Sequence, residues 1–297
     1  MFSIIIPVYN GEKTIEELYQ KIKKTLTGKE DFEVIFVFDC GPDDSWEKIK
    51  ELQSEDPEHI RGFLLRKNYG QHCALLFGIS RSIGDFIVTM DEDLQHDPDD
   101  ILKLSGMQMK GNYDVVYGNF NRRKQPLYRT FLSFFLRKLL LIAIPGLNPH
   151  YSPFRFIKKE IADKMQTGYK LYAFIDGILG RLTHNISSIT VNHRKSKVGE
   201  SSYKFHKLIF HTINVVIFYS ALKTWIIFSG ILMILPYFLF SFYHSLCHID
   251  GTFIRAFHYI AGFGLLALFF GLSAQIIYCF HQRRIKNNWT VEFSDEC

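Results

Sequence analysis

The 297 residues carry a net charge of +5, and 47% of them are hydrophobic. That length holds one large domain with an added element, or two domains, and no basic stripe interleaved with aromatics stands out, which argues against a nucleic-acid partner. The five cysteines (Cys40, Cys73, Cys247, Cys279 and Cys297) show neither metal-type pairing nor dense disulfide spacing, which suits a reducing, cytosol-facing compartment.

"FSIIIPV" reads as a buried strand at the start of the chain, with no secretory leader expected ahead of it. Thr14 with Glu17 has the form of a capping box, and Ile15, Leu18, Tyr19, Ile22 and Leu26 follow at helical spacing. "FEVIFVF" is a second strand, ending at Asp39. Asp44 with Glu47 can cap a helix that carries Trp46, Ile49 and Leu52. "RGFLLR" is a third strand, a helix follows over about 71–82, "DFIVTMD" is a fourth strand and "YDVVYGN" a fifth. Strands and amphipathic helices in alternation predict an α/β fold with a mostly parallel sheet covered on both faces. Such sheets bind ligands beyond the carboxyl ends of their strands. Tyr9, Asn10 and Glu12, then Asp39, then Arg66 and Asn68, then Asp91 and Asp93 all fall there.

"MDEDLQHDP" places Asp91, Glu92, Asp93 and Asp97 within nine positions. Charges this close need a solvated turn or a cation. A calcium loop fits poorly, because its sixth position is His96 and its twelfth is Leu102. No glycine-rich phosphate cradle follows a strand; the match "GFGLLA" from Gly262 lies in an apolar run. Two carboxylates and an amide in an open site suit Mg²⁺ or Mn²⁺ shared with a nucleotide diphosphate. The competing reading is a solvated acidic turn.

The C-terminal part is of another kind. No Asp, Glu, Lys or Arg occurs between Lys223 and Asp250, or between Arg255 and Arg283. Each run exceeds the ~20 residues that cross a bilayer as a helix. Trp225, Tyr243, Tyr259 and Tyr278 sit near the ends, as interfacial aromatics do. Lys204, Lys207 and Lys223 flank the pair on one side and Arg283, Arg284 and Lys286 on the other, whereas the connection holds Arg255. The positive-inside rule then puts both flanks in the cytosol. The expected organisation is a cytosolic domain over 1–202, with a candidate interface helix at 126–146. An amphipathic juxtamembrane helix follows at 203–223, then a two-helix transmembrane hairpin at 224–282 and a cytosolic tail at 283–297. The expected location is the inner cell membrane, and "AxxxG" at Ala267–Gly271 hints at self-association in the bilayer.

"PVYNGE", "VFDCGPDDS", "RKNYGQHCALLFGI" and "MDEDLQHDP", in that order after successive strands, resemble the family-2 glycosyltransferases with a GT-A fold over about 3–156. "DLQ", "SPFRF", "GESSYKFHKLI" and the two terminal runs narrow the likeness to the polyprenyl-phosphate group, with dolichyl-phosphate mannose synthase and the undecaprenyl-phosphate sugar transferases. The resemblance implies an inverting, metal-dependent enzyme that moves a sugar from a nucleotide diphosphate to polyprenyl phosphate. Pro7, Tyr9, Asn10, Glu12, Asp39, Arg66 and Gly70 would hold the nucleotide, and Asp91, Asp93 and Gln95 the metal. Glu92 would project away, and Asp97, Asp99 and Asp100 would open the next helix. Arg123, Arg155, Arg194, Lys197, Ser201 and Ser202 would receive the acceptor phosphate.

The chain departs from the family pattern at Gly11, which separates Asn10 from Glu12, and at Phe38, where a second Asp is usual. Pro153 stands where many relatives have an acid, and Ser196 where an arginine is common. Asp176 is the spare candidate for a base. Two rivals stay open: transfer to a sugar hydroxyl of a lipid-linked saccharide, and a catalytically silent membrane binding or scaffold protein with the same fold.

Overall fold

The computed structural model describes residues 1–120, 137–138, 140–142, 144, 146–166 and 174–191. The chain divides into two compact units, one of Met1–Leu141, Pro145–Phe205 and Thr290–Cys297, the other of Ile142–Ile144 and His206–Trp289. Nearly all of the second unit, with the two apolar runs and the juxtamembrane segment, lies outside the described residues, as does most of 126–146. Among the described residues no helix is long and apolar enough to cross a membrane.

The first unit is built on a seven-stranded sheet. Its strands in chain order are β1 (Phe2–Val8), β2 (Phe32–Phe38), β3 (Ile60–Leu64), β4 (Phe86–Thr89), β5 (Val115–Phe120), β6 (Arg155–Lys158) and β7 (Ile186–Val191). Across the sheet they run β3-β2-β1-β4-β6-β5-β7. The β1, β2, β3 and β4 pairings are parallel, as is β5 with β7, whereas β6 runs antiparallel to β4 and β5. The mostly parallel sheet expected from the sequence is thus present, with one reversed strand where the order changes.

β1 and β2 are buried along their whole length, which is why they read as unbroken apolar runs. Their side chains alternate between two layers. Ile4, Ile6 and Val8 pack with Val34 and Phe36 against α1 (Ile15–Leu26), α2 (Ser45–Glu55) and α4 (Asp100–Gly111). Ile5, Ile35 and Val37 face α3 (Gln71–Arg81), α5 (Lys159–Gln166) and α6 (Ile175–Leu182). Each such buried side chain contributes roughly 1.5–3 kcal/mol. α3 lies so close to the sheet that a Cβ on Gly78 would meet Ile5 Cγ2 at 2.4 Å.

Several local expectations are corrected. Thr14 precedes α1, but no capping box forms: its hydroxyl donates to the Gly11 carbonyl (3.1 Å), and Glu17 pairs with Lys21 (2.7 Å). Asp44 precedes α2 without a side-chain capping bond; the neighbouring Asp43 accepts from Ser45 Oγ instead. β3 starts one residue before the span read as "RGFLLR" and stops two residues before its end, and β4 ends at Thr89 rather than Asp91. "SPFRF" contributes β6, a strand that alternation did not suggest because it has four residues.

Candidate active site

The first turn follows β1, and its backbone is pinned by side chains from elsewhere. Four successive amides are engaged. Tyr9 N–H donates to Glu92 Oε2 (2.9 Å) and Asn10 N–H to Glu92 Oε1 (3.2 Å). Gly11 N–H donates to Ser45 Oγ (2.9 Å) and Glu12 N–H to Asp43 Oδ2 (3.0 Å). The turn is therefore tied both to the loop after β2 and to the loop after β4. A third constraint comes from Gly41: a Cβ there would stand 1.5 Å from the Tyr9 carbonyl oxygen. Tyr9 and Asn10 are exposed on this rigid turn, as is the Glu12 side chain, while Pro7 is buried within β1. Tyr9 thus offers an open ring to a planar ligand.

Asp39 directly follows β2 and is buried. Its two oxygens accept from Tyr69 N–H and Gly70 N–H, each at 2.7 Å. Burial pushes its pKa up, opposed by these two donors. Gly70 has a φ of +90°, a conformation that suits glycine, and leads directly into α3. Asp39 and Gly70, two candidate nucleotide contacts, are thereby brought into one hydrogen-bonded corner. Arg66 is exposed beyond β3.

The acidic loop starts one residue after Met90, whose N–H still bonds to the Ile5 carbonyl at 3.2 Å. Asp91 N–H donates to His96 Nδ1 (3.1 Å), which fixes the imidazole as the Nε2–H tautomer. His96 is buried and stacks on Phe154, with 5.0 Å between centroids and 26° between planes. Leu94 is buried with a φ of +62°, an outlier for a bulky residue. Asp93 Oδ1 accepts the Gln95 N–H at 3.0 Å. The loop is anchored by apolar packing at Leu94 and His96 and presents Asp91, Asp93 and Gln95 half-buried.

Its charges are crowded. Burial pushes Asp91 up to about 6, against the opposing pull of the Arg155 charge and the hydrogen bond from Gln71. Burial pushes Glu92 up to about 7; the Asn10 and Tyr9 amides oppose it, and the Asp91 and Asp43 charges add to it. Among the described residues no three His, Cys, Asp or Glu side chains form a ready-made metal cage. The oxygen donors Asp91, Asp93 and Gln95 fit a hard divalent ion that completes its shell from water and a ligand's phosphates. Such an ion also relieves the crowding.

Behind the loop lies a buried ion pair. Arg155 Nε and Nη2 donate to Asp176 Oδ1 and Oδ2, both at 2.7 Å, and Tyr117 Oη donates to Asp176 Oδ1 at 3.0 Å. Arg155 Nη1 donates to Thr89 Oγ1 (3.1 Å) and to the Pro153 carbonyl (3.0 Å). Burial works against the Arg155 charge but is outweighed by Asp176, and the guanidinium is held ionised. The structure places two candidate site residues in this pair. Asp176, the spare candidate for a base, has both oxygens bound to a permanent cation. Arg155 is 2% exposed, and its fork is taken by Asp176, so it stands behind the acidic loop rather than on an exposed surface. Arg123, Arg194, Lys197, Ser201 and Ser202 lie outside the described residues.

Sequence reasoning missed Gln71, whose amide reaches Asp91, and His96. It also missed Glu92, which turns inward to the first turn instead of projecting away. Gln71 follows the "RKNYG" stretch at the mouth of α3, a position that could have signalled it.

Known proteins resemble this chain in sequence and in fold. The family model for glycosyl transferase family 2 matches residues 3–167. The undecaprenyl-phosphate 4-deoxy-4-formamido-L-arabinose transferase of Enterobacter sp. is 32% identical over 210 residues, which cover 70% of this chain and 64% of that one. The enzyme of the same name from Proteus mirabilis is 29% identical over 209 residues, with the same coverage. The match thus spans under two thirds of these relatives' length. Glucosyl-3-phosphoglycerate synthase from Mycobacterium tuberculosis, solved with Mn²⁺, uridine diphosphate and glucosyl-3-phosphoglycerate, superposes with a TM-score of 0.51. It is 19% identical, and the likeness covers 73% of this chain and 77% of that one, a similarity of fold. With the family model spanning more than half of its length, from the first strand through the acidic loop to α5, the chain belongs to glycosyl transferase family 2.

Proposed function

We propose that this protein is a membrane-anchored, inverting glycosyltransferase that moves a sugar from a nucleotide diphosphate to polyprenyl phosphate, with its site facing the cytosol. The carrying observation is the corner formed by the pinned Tyr9–Asn10 turn, the Asp39–Gly70 clasp and the Asp91–Asp93 loop at the carboxyl ends of the parallel strands β1, β2 and β4. Relatives named as undecaprenyl-phosphate transferases support the acceptor class, and a fold neighbour that holds Mn²⁺ and uridine diphosphate supports the donor and metal classes.

Tyr9 offers a stacking face to the base, and Asp39 and Gly70 shape the wall of the same pocket. Asp91, Asp93 and Gln95 would hold Mg²⁺ or Mn²⁺, which stabilises negative charge on the departing diphosphate. An oxygen of the acceptor phosphate attacks the anomeric carbon as the bond from that carbon to the donor's diphosphate breaks. The products are polyprenyl-phosphate sugar and nucleoside diphosphate. A phosphate monoester has a second pKa near ~6, so it attacks without surrendering a proton. With Asp176 bound to Arg155 and Pro153 in place of an acid, neither position supplies a base, and an ionised phosphate acceptor requires none. A sugar-hydroxyl acceptor would require one.

Purified full-length protein, incubated with Mg²⁺ or Mn²⁺, undecaprenyl phosphate and a panel of nucleotide sugars, tests the reading by mass spectrometry of the lipid fraction. A lipid carrying one phosphate and one sugar is expected. A product with a diphosphate bridge, or no metal-dependent turnover of any donor, overturns it.

A further inference from the structure

We infer that Glu92 is a positioning residue that couples nucleoside binding to metal binding, by latching the Tyr9–Asn10 turn to the acidic loop. The inference rests on the proposed donor and metal site and adds a link inside it. Glu92 lies between Asp91 and Asp93, yet its carboxylate leaves the loop and accepts from the two backbone amides of a turn about 80 residues away in sequence. Both oxygens are used, one for each amide, so the turn is fixed in distance and in orientation. A metal ion that fixes Asp91 and Asp93 fixes the residue between them, and through it the backbone under Tyr9. A base stacked on Tyr9 steadies the same backbone from the other side. Binding free energies linked in this way are reciprocal.

Gly11 carries the independent observation. A Cβ at that position would meet Glu92 Oε2 at 2.7 Å, Ile15 Cγ2 at 2.9 Å and Val8 Cγ1 at 3.1 Å. The residue that departs from the family's usual turn is therefore the one whose missing side chain leaves room for the latch. The other half of the turn supplies a control. Gly11 N–H bonds to Ser45, the first residue of α2, and Glu12 N–H to Asp43, on the loop between β2 and α2. Removing Ser45 Oγ disturbs the same turn without touching the acidic loop.

The test uses full-length protein and ligands that cannot touch each other. Free Mn²⁺ is followed by electron paramagnetic resonance during titration, without and with saturating uridine, cytidine, adenosine or guanosine. A nucleoside has no phosphate, so any effect on Mn²⁺ passes through the protein. In the wild type the nucleoside that binds tightens Mn²⁺ by at least about fivefold. Glu92→Gln keeps the shape but turns a donor toward one amide, and Gly11→Ala displaces the carboxylate; in both, the factor falls to about one while each ligand still binds alone. Ser45→Ala keeps the wild-type factor. A wild type without coupling, a Glu92→Gln protein that keeps it, or a Ser45→Ala protein that loses it equally overturns the latch. Failure of the wild type to bind Mn²⁺ and every nucleoside overturns the donor-site reading itself, and the latch with it.

Discussion

Asp91 and Asp93 stand on a loop whose shape is set by other residues, so their side chains can be removed without removing the loop. Leu94 and His96 carry its packing, and His96 holds the Asp91 amide rather than its carboxylate. Asp91→Ala and Asp93→Ala are therefore expected to keep the thermal unfolding midpoint within a few degrees while sugar transfer falls by at least ~10²-fold, the scale of losing a charge-stabilising group. An active Asp93→Ala protein would sink the metal assignment. Asp176 should behave in the opposite way. Asp176→Ala leaves the buried Arg155 guanidinium without its bidentate partner, and breaking such a pair costs roughly 3–5 kcal/mol. The expected result is a large drop in unfolding midpoint. The pH–rate profile of the folded fraction should keep its wild-type shape, because the carboxylate never acted as a base. A profile that loses one limb in this variant would restore the catalytic role.

Among the elements, α1 is tied to the start of β3 through Asp56. Lys23 Nζ donates to its carboxylate at 2.6 Å, Tyr19 Oη donates as well, and His59 Nδ1 lies 2.8 Å away. Burial disfavours the Asp56 charge, but the hydrogen bonds from Lys23, Tyr19 and His59 outweigh it, so the pKa is held well below the usual carboxylate range. A depressed folded-state pKa contributes stability that is present above the unfolded value of about 3.9 and is lost as the pH falls toward the folded one. Asp56→Ala should thus cost on the order of 2 kcal/mol at pH 7, and the gap between variant and wild type should narrow at pH 3. Thermal unfolding of the two proteins at both pH values measures this, and a gap that widens in acid would contradict it. A second element-level contact is α3 on β1: Gly78→Ala puts a methyl group against Ile5 and Val37, and overpacking of this kind costs ~1–3 kcal/mol. Both contacts explain what was legible in the sequence. β1 matches the sequence reading to the residue, and β2 does so up to its end at Phe38, one residue before Asp39, because burial on both faces forces a continuous apolar run. β6 and β7 were not visible: the first has four residues and begins with a buried arginine, and the second carries two serines. Tyr9, Asp39, Asp91 and Asp93 were legible because their positions at strand ends follow from the fold class. Glu92, Gln71 and His96 were not, because their roles depend on partners that the topology brings together.

For the whole molecule, the proposed lipid acceptor raises the question of how the sheet domain would meet a membrane. The sequence answers through two charge-free runs, between Lys223 and Asp250 and between Arg255 and Arg283, both long enough to cross a bilayer. Cations gather on the outer flanks, with Arg255 in the connection against Lys204, Lys207, Lys223, Arg283, Arg284 and Lys286 outside it, so the hairpin should expose its connection on the far side and keep the sheet domain on the cytosolic side. The protein's own cysteines report on that arrangement. Cys40 is exposed beside Asp39, on the loop after β2, and Cys247 falls at the end of the first charge-free run, three residues before Asp250 and next to the connection. Two variants, each retaining one of these cysteines with the remaining four replaced by serine, can be placed in right-side-out membrane vesicles and treated with a membrane-impermeant maleimide. Cys247 should be labelled in sealed vesicles, and Cys40 should react only after detergent opens them. The two positions differ in exposure for separate reasons, so the pattern has internal controls: Cys40 must react in the opened sample to show that its thiol is accessible. Labelling of Cys40 in sealed vesicles would place the donor site outside the cytosol, where nucleotide sugars are not made. Protection of Cys247 in both samples would argue against an outward connection.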